Sequence, residues 1–206
     1  MKRITILGAT GSIGLRTLDL VASFPEEFSV AALAARGSNA ELIADLCRKY
    51  SPRAVALLDP DAVDEVARLL PAPRPELLKG PEGLVAVARD VPADLIVSAF
   101  VGAAGLLPTM AAIRAGRAVA LANKETLVMA GELMTGAARE RGVPLLPVDS
   151  EHSAVFQCLA RLASAQDDAH GLVLQLVADV LDQLQPGSVG LHDDVEQHRG
   201  DVGVVA

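Results

Sequence analysis

The chain contains no tryptophan, one tyrosine and four phenylalanines. A hydrophobic core must therefore be assembled from Ala, Val, Leu and Ile, which supply most of the 51% apolar share. That vocabulary suits an α/β fold, with branched residues in buried strands and Ala/Leu-rich stretches in the covering helices. Cysteine is nearly missing as well. Cys47 and Cys158 lie far apart and match no metal or redox spacing, so they read as reduced thiols rather than as a disulfide. There is no basic stripe of the kind that nucleic acid requires, and no nucleic-acid partner is expected. The opening MKRITILG has a short apolar run that ends in a glycine turn, which is not a secretory signal. From Leu95 to Ile113 no residue is charged, but Gly102, Gly105 and Pro108 interrupt the run. It reads as a buried strand, a turn and a helix rather than a membrane span. A cytoplasmic protein without a membrane partner is the expectation.

Charge is unevenly spread. Residues 1–159 carry 18 acids and 16 bases, whereas residues 160–206 carry 8 acids, 2 bases and no lysine. A domain of residues 1–159 followed by an atypical acidic tail of residues 160–206 is the resulting division.

Within the first part, strands and helices alternate. Arg3–Leu7, Phe28–Ala35, Arg53–Leu57, Asp94–Phe100, Ala118–Ala122 and Val143–Val148 read as six strands. Helical spacing marks Ser12–Ser23, a helix capped by Asn39 and running to about Tyr50, and another opening after Asp59-Pro60. Pro71, Pro73 and Pro75 mark a connection, followed by a short helix near Gly83–Arg89 and a long one over Lys124–Arg141. Strand–helix–strand units of this length require parallel pairing with right-handed crossovers. The predicted fold is a Rossmann-like, doubly wound parallel sheet.

Chemistry begins at the first turn. Gly8-Ala9-Thr10-Gly11-Ser12-Ile13-Gly14 follows the first strand and opens a helix. Gly8 permits a sharp turn, Gly11 lets the backbone approach a pyrophosphate, and Gly14 allows close packing of helix on strand. Glycine turns also close purely structural loops, so position between strand and helix is what favours a nucleotide. At the end of the second strand, where an NAD site places an acid, the chain reads Ala35-Arg36-Gly37-Ser38-Asn39. Without an acid there, Arg36, Ser38 and Asn39 are candidates for holding a 2′-phosphate, and NADPH is favoured over NADH. A solvated turn with a helix cap is the bland reading, and Asn39 can serve both.

Two further segments complete a pattern: Val101-Gly102-Ala103-Ala104-Gly105-Leu106-Leu107-Pro108 with Leu121-Ala122-Asn123-Lys124-Glu125, and Pro147-Val148-Asp149-Ser150-Glu151-His152. Together with GATGSIG they resemble 1-deoxy-D-xylulose 5-phosphate reductoisomerases, in order and spacing, over residues 1 to about 159. The resemblance implies a cofactor site at Thr10, Gly11, Ser12, Ile13, Gly37, Ser38, Asn39, Asn123 and Glu125, with Arg36 as an extra residue beside it. It implies substrate contacts at Lys124 and Ser150 and a divalent metal, Mg²⁺ or Mn²⁺, on Asp149 and Glu151. A D-x-E pair on an extended segment puts both carboxylates on one face, and oxygen donors suit those ions. His152 is read either as orienting a carboxylate or as capping a helix.

The reaction implied is NADPH-dependent rearrangement and reduction of 1-deoxy-D-xylulose 5-phosphate to 2-C-methyl-D-erythritol 4-phosphate, in the non-mevalonate isoprenoid route, by a homodimer. Past Leu159 the family's tryptophan-bearing lid, phosphate-binding cluster and third metal-ligating glutamate are not found. A helix is predicted at Gly171–Gln185, and His192, Asp193, Asp194, Glu196 and His198 resemble metal ligands in composition only. The expectation is a nucleotide-binding half whose turnover is lost or very low. The alternatives are a non-catalytic NADPH-binding fragment, or another NADPH oxidoreductase such as a semialdehyde dehydrogenase, which needs a catalytic cysteine in a loop at the sheet end.

Overall fold

A computed structural model describes residues 1–148. Seven strands form one sheet: β1 (Lys2–Leu7), β2 (Phe28–Ala35), β3 (Ala54–Leu57), β4 (Glu76–Lys79), β5 (Leu95–Ser98), β6 (Ala118–Leu121) and β7 (Leu145–Pro147). Their order is β4-β3-β2-β1-β5-β6-β7, and every neighbouring pair is parallel. The chain winds outward from β1 to one edge, returns to the other side of β1, and winds outward again. This is the doubly wound arrangement expected from the sequence.

Six helices cover the sheet: α1 (Ser12–Ser23), α2 (Ala40–Tyr50), α3 (Pro60–Leu69), α4 (Gly80–Arg89), α5 (Leu106–Arg114) and α6 (Lys124–Arg141). Alternation along each strand sorts them into two layers. Ile4, Ile6, Val55, Leu57 and Val97 pack with Leu18, Ile43 and Val66, which places α1, α2 and α3 on one face. Leu7, Ala54, Ala56, Ile96 and Val119 pack with Leu84, Ile113 and Met134, which places α4, α5 and α6 on the other. A register shift between Ile4 and Thr5 sets Ala31 and Ala32 on the same side before alternation resumes. Burying side chains such as Ile6, Leu33, Leu57 and Leu84 stabilises the fold by about 2 kcal/mol each. The core is as poor in aromatics as the composition requires, with Phe100 its one fully buried ring among the described residues.

One strand was not expected. Glu76–Lys79 lies in the segment that reads as part of the proline-rich connection, yet pairs with β3 from Ala54↔Glu76 to Leu57↔Lys79. It is four residues long, at the sheet edge, with Glu76 and Lys79 exposed and Leu77 and Leu78 half-buried. An edge strand this short carries little periodicity, and charged ends are what edges require. The helix after it starts at Gly80 rather than near Gly83, with a proline in its first turn. The uncharged run from Leu95 resolves into β5, a 3₁₀ turn at Gly102–Gly105, and α5. No helix among the described residues is long and apolar enough to cross a membrane.

Candidate cofactor site

All seven strands point their carboxyl ends the same way, so the loops after β1, β2, β5 and β6 share one rim. Gly8, Ala9, Thr10 and Gly11 form the loop after β1. Gly8 has φ +95°, and its N–H donates to the Ala34 carbonyl at 2.8 Å. A Cβ at Gly8 would lie 2.6 Å from the backbone carbon and oxygen of Ala99, so no larger residue fits between β2 and β5. At Gly14 a Cβ would lie 2.7 Å from the Ala9 Cα. The turn and the first turn of α1 are therefore in direct backbone contact, as the sequence reading required.

Gly11 is the residue preceding α1, no side chain caps that helix, and no acid stands in its first turn. Gly11, Ser12 and Ile13 are exposed and Thr10 is half-buried. The first N–H groups of α1 and the positive end of its dipole thus open onto the rim without a competing protein acceptor. An anion is the ligand such a terminus accepts.

Beside it, at the end of β2, Gly37 has φ +105° and sits so close to the first turn of α3 that a Cβ would come within 2.7 Å of the Ala62 methyl. Asn39 caps α2, its Oδ1 accepting from the Leu42 N–H at 2.9 Å. Arg36 and Ser38 are exposed, and the Arg36 Nη2 donates to the Val101 carbonyl at 2.9 Å. No acid occupies this segment. On the other side of β1, Asn123 precedes α6 and is 1% exposed. Its Oδ1 accepts from the Thr126 N–H at 3.2 Å, and its Nδ2 donates to the Gly102 carbonyl at 3.0 Å. Both ends of its amide are engaged within the protein, while Lys124 and Glu125 next to it are exposed at the start of α6. Val148 ends the described chain at the same rim, its N–H on the Leu121 carbonyl at 3.1 Å. Asp149, Ser150, Glu151 and His152 lie outside the described residues, as do Cys158, the predicted Gly171–Gln185 helix and the His192–His198 cluster. Among the described residues no group of three His, Cys, Asp or Glu side chains could hold a metal ion.

The loop after β5 contains a device that sequence reasoning did not find. Thr109, fully buried, donates its hydroxyl hydrogen to the Gly105 carbonyl at 2.6 Å. Buried Ser98 then donates to the Thr109 oxygen at 2.7 Å, since that hydroxyl has no second hydrogen to offer. Gly105 in turn is glycine because a Cβ there would meet the Asn123 Nδ2 at 2.5 Å and the Phe100 Cβ at 3.2 Å. The one available signal was two hydroxyl residues, Ser98 and Thr109, inside an otherwise apolar run.

Cys47 is buried on α2, where the loss of solvent pushes its thiol up to about 11 against a smaller opposing effect of Arg48. It sits in the last turn of α2, which runs back toward the amino ends of the strands, away from the glycine turn. Such a thiol is neither ionised near neutrality nor placed as a nucleophile, which removes it from the semialdehyde-dehydrogenase reading.

The fold is a Rossmann-like, doubly wound α/β domain whose rim carries an uncapped, acid-free helix start suited to an anion. Residues 4–131 match the family model described as 1-deoxy-D-xylulose 5-phosphate reductoisomerase. A reductoisomerase of Geobacter metallireducens is 55% identical over 159 residues, covering 77% of this chain and 41% of that protein. One of Chlorobium phaeobacteroides is 48% identical over 174 residues, covering 84% of this chain and 44% of that protein, so the likeness there continues past residue 160. The solved Zymomonas mobilis enzyme in complex with NADPH superposes with a TM-score of 0.73 at 44% identity, over 76% of this chain and 41% of that one. The chain belongs to the 1-deoxy-D-xylulose 5-phosphate reductoisomerase family. It spans roughly two-fifths of the length of the relatives it matches.

Proposed function

We propose that this chain is the NADPH-binding part of a reductoisomerase, and that it binds NADPH while turning over its sugar phosphate very slowly or not at all. The observation that carries the cofactor reading is the uncapped, acid-free start of α1 over the Gly8–Gly14 turn, next to an acid-free Arg36–Asn39 segment. The pyrophosphate would lie on the N–H groups of Ser12 and Ile13, against the Gly11 backbone, whose own N–H donates to the Gly8 carbonyl at 3.1 Å, with Thr10 beside it. Arg36, Ser38 and the Gly37 backbone would hold the 2′-phosphate. Asn123 would serve the cofactor mainly by fixing the Gly102 turn, because both ends of its amide are already engaged. Glu125, exposed beside it, would reach ribose hydroxyls. The solved reductoisomerase in complex with NADPH, fosmidomycin and magnesium, at TM-score 0.75 and 38% identity, supports both cofactor and metal for the family.

On the substrate side, exposed Lys124 at the start of α6 would meet an oxyanion, with Ser150 as a second contact. In sequence, Asp149 and Glu151 come directly after Val148, the last described residue, and two carboxylates in D-x-E spacing would fit Mg²⁺ or Mn²⁺. When bound, such an ion polarises a carbonyl as a Lewis acid. Residues 160–206 contain no tryptophan, so no residue there can act as the lid tryptophan that the resemblance implies. Over residues 1–206 taken alone, poor exclusion of water and loose positioning would leave little rate acceleration. The resemblance implies a homodimer, and sedimentation of the chain reads its oligomeric state.

Calorimetric titration with NADPH, followed by a steady-state assay with 1-deoxy-D-xylulose 5-phosphate and Mg²⁺ or Mn²⁺, tests the reading. Binding without appreciable turnover is the expected result. Ordinary family rates would overturn the second half of the proposal, and absence of NADPH binding the first.

A further inference from the structure

We propose that Arg36 is a specificity-determining strap, lying across the dinucleotide crevice in the free protein and drawn off it by the 2′-phosphate of the incoming cofactor. The inference rests on the NADPH reading and adds the state from which the cofactor is recognised. Arg36 directly follows β2, and its Nη2 donates to the carbonyl of Val101, three residues beyond β5. In the sheet, β1 lies between those two strands. The guanidinium therefore has to pass the carboxyl end of β1, where Gly8 and Gly11 begin the phosphate turn. Two strand spacings, roughly 10 Å, are what the Arg36 backbone and extended side chain must bridge. In open α/β sheets the crevice outside these strand ends, where winding reverses, is where ligands bind.

The contact is built to be broken. Arg36 is exposed, Val101 is 68% exposed, and none of the ion pairs among the described residues involves Arg36. The next carbonyl along, that of Gly102, is held from the opposite side by buried Asn123. The Val101–Gly102 segment is thus gripped twice, permanently from the β6 side and releasably from the β2 side. A phosphate dianion offers a guanidinium two parallel charge-assisted bonds, which outweigh one bond to a neutral carbonyl. A ribose 2′-hydroxyl offers no such exchange, so NADH must enter against a strap it cannot recruit. Arg36 acts both by attracting the right nucleotide and by obstructing the wrong one.

The full chain, its Arg36→Ala variant and both reduced cofactors test this by titration. In Arg36→Ala, NADPH binding weakens at least roughly tenfold, as two charge-assisted bonds are lost. NADH binding tightens by about two- to fivefold, the equivalent of one net hydrogen bond no longer broken on entry. Because Arg36 is exposed, the melting temperature without ligand stays within about 2 °C of the wild type, which separates these effects from misfolding. NADH affinity unchanged or reduced in the variant overturns the strap and leaves Arg36 an ordinary phosphate ligand. NADPH affinity unchanged overturns it as well. Failure of the wild-type chain to bind NADPH overturns the cofactor reading itself and the strap with it.

Discussion

The loops after β1 and β5 face each other across one crevice but are held by opposite means. After β1 the backbone is fixed by what is missing: Gly8 and Gly14 bring chain segments closer than any Cβ would allow. After β5 it is fixed by what is added, a set of buried side-chain hydrogen bonds from Ser98, Thr109 and Asn123. The first solution is intolerant of any atom and serves a wall whose shape is set by backbone N–H groups. The second fixes the turn through side-chain polar atoms, so its individual bonds can be removed one at a time.

If that contrast is right, substitutions on the β1 side are severe and those on the β5 side graded. Gly8→Ala meets both a left-handed backbone and the Ala99 backbone at 2.6 Å. We expect a loss of about 3–5 kcal/mol in urea unfolding together with loss of NADPH binding. A fully bound, stable Gly8→Ala protein would break the comparison. Asn123→Ala removes the α6 cap and the donor to Gly102, and should cost about 2–3 kcal/mol by the same measurement. Thr109→Val, similar in shape, should cost about 1–2 kcal/mol by stranding the Ser98 hydroxyl and removing the side-chain donor to the Gly105 carbonyl. The sharper form is the Ser98→Ala/Thr109→Val double variant. It should lose less than the two single costs added, because Ser98 then has no donor left unpaired. Additive losses would show that the two hydroxyls are independent.

The smallest effect concerns the amino ends of the same strands. Asp94 accepts from the Arg3 N–H at 2.7 Å and from its guanidinium, holding β5 to β1. The hydrogen bonds from Arg3, side chain first and backbone second, draw the Asp94 carboxyl down to about 2. A carboxyl lowered on folding stabilises above its unfolded value near 4 and loses that contribution as pH falls toward 2. Both partners are about half exposed, so solvent and salt screen the pair. Wild type should melt slightly above Asp94→Asn at pH 6, and the gap should close between pH 4 and 2. A gap that widens on acidification would sink this assignment.

Much of the β1 side was legible because its devices are written as residue types. A glycine at positions 8, 11 and 14 between strand and helix has few meanings, and Asn39 capped α2 where its position suggested. The β5 side was legible only as a family pattern. Nothing in Leu121-Ala122-Asn123 states that the amide turns inward to Gly102, since that depends on two loops far apart in sequence meeting at the rim. β4 escaped for a related reason: Glu76–Lys79 becomes a strand through pairing with β3, while its flanking prolines argue locally for a connection. Asp149 and Glu151 remain readable from sequence alone.

The β1–β5 ladder, from Ile4↔Leu95 to Leu7↔Ser98, is the only strand pairing between residues 1–79 and the three later strands among the described residues. In folding terms it is a seam joining two sets of strands, one on either side of the crevice, with α4 packed under the first set as the chain crosses to the second. A ligand lodged across that crevice touches both halves and so behaves as a rivet as well as a reactant. By mass action its concentration, through the affinity, adds directly to the free energy of closing the seam. The stability of such a domain would then track the nucleotide supply around it.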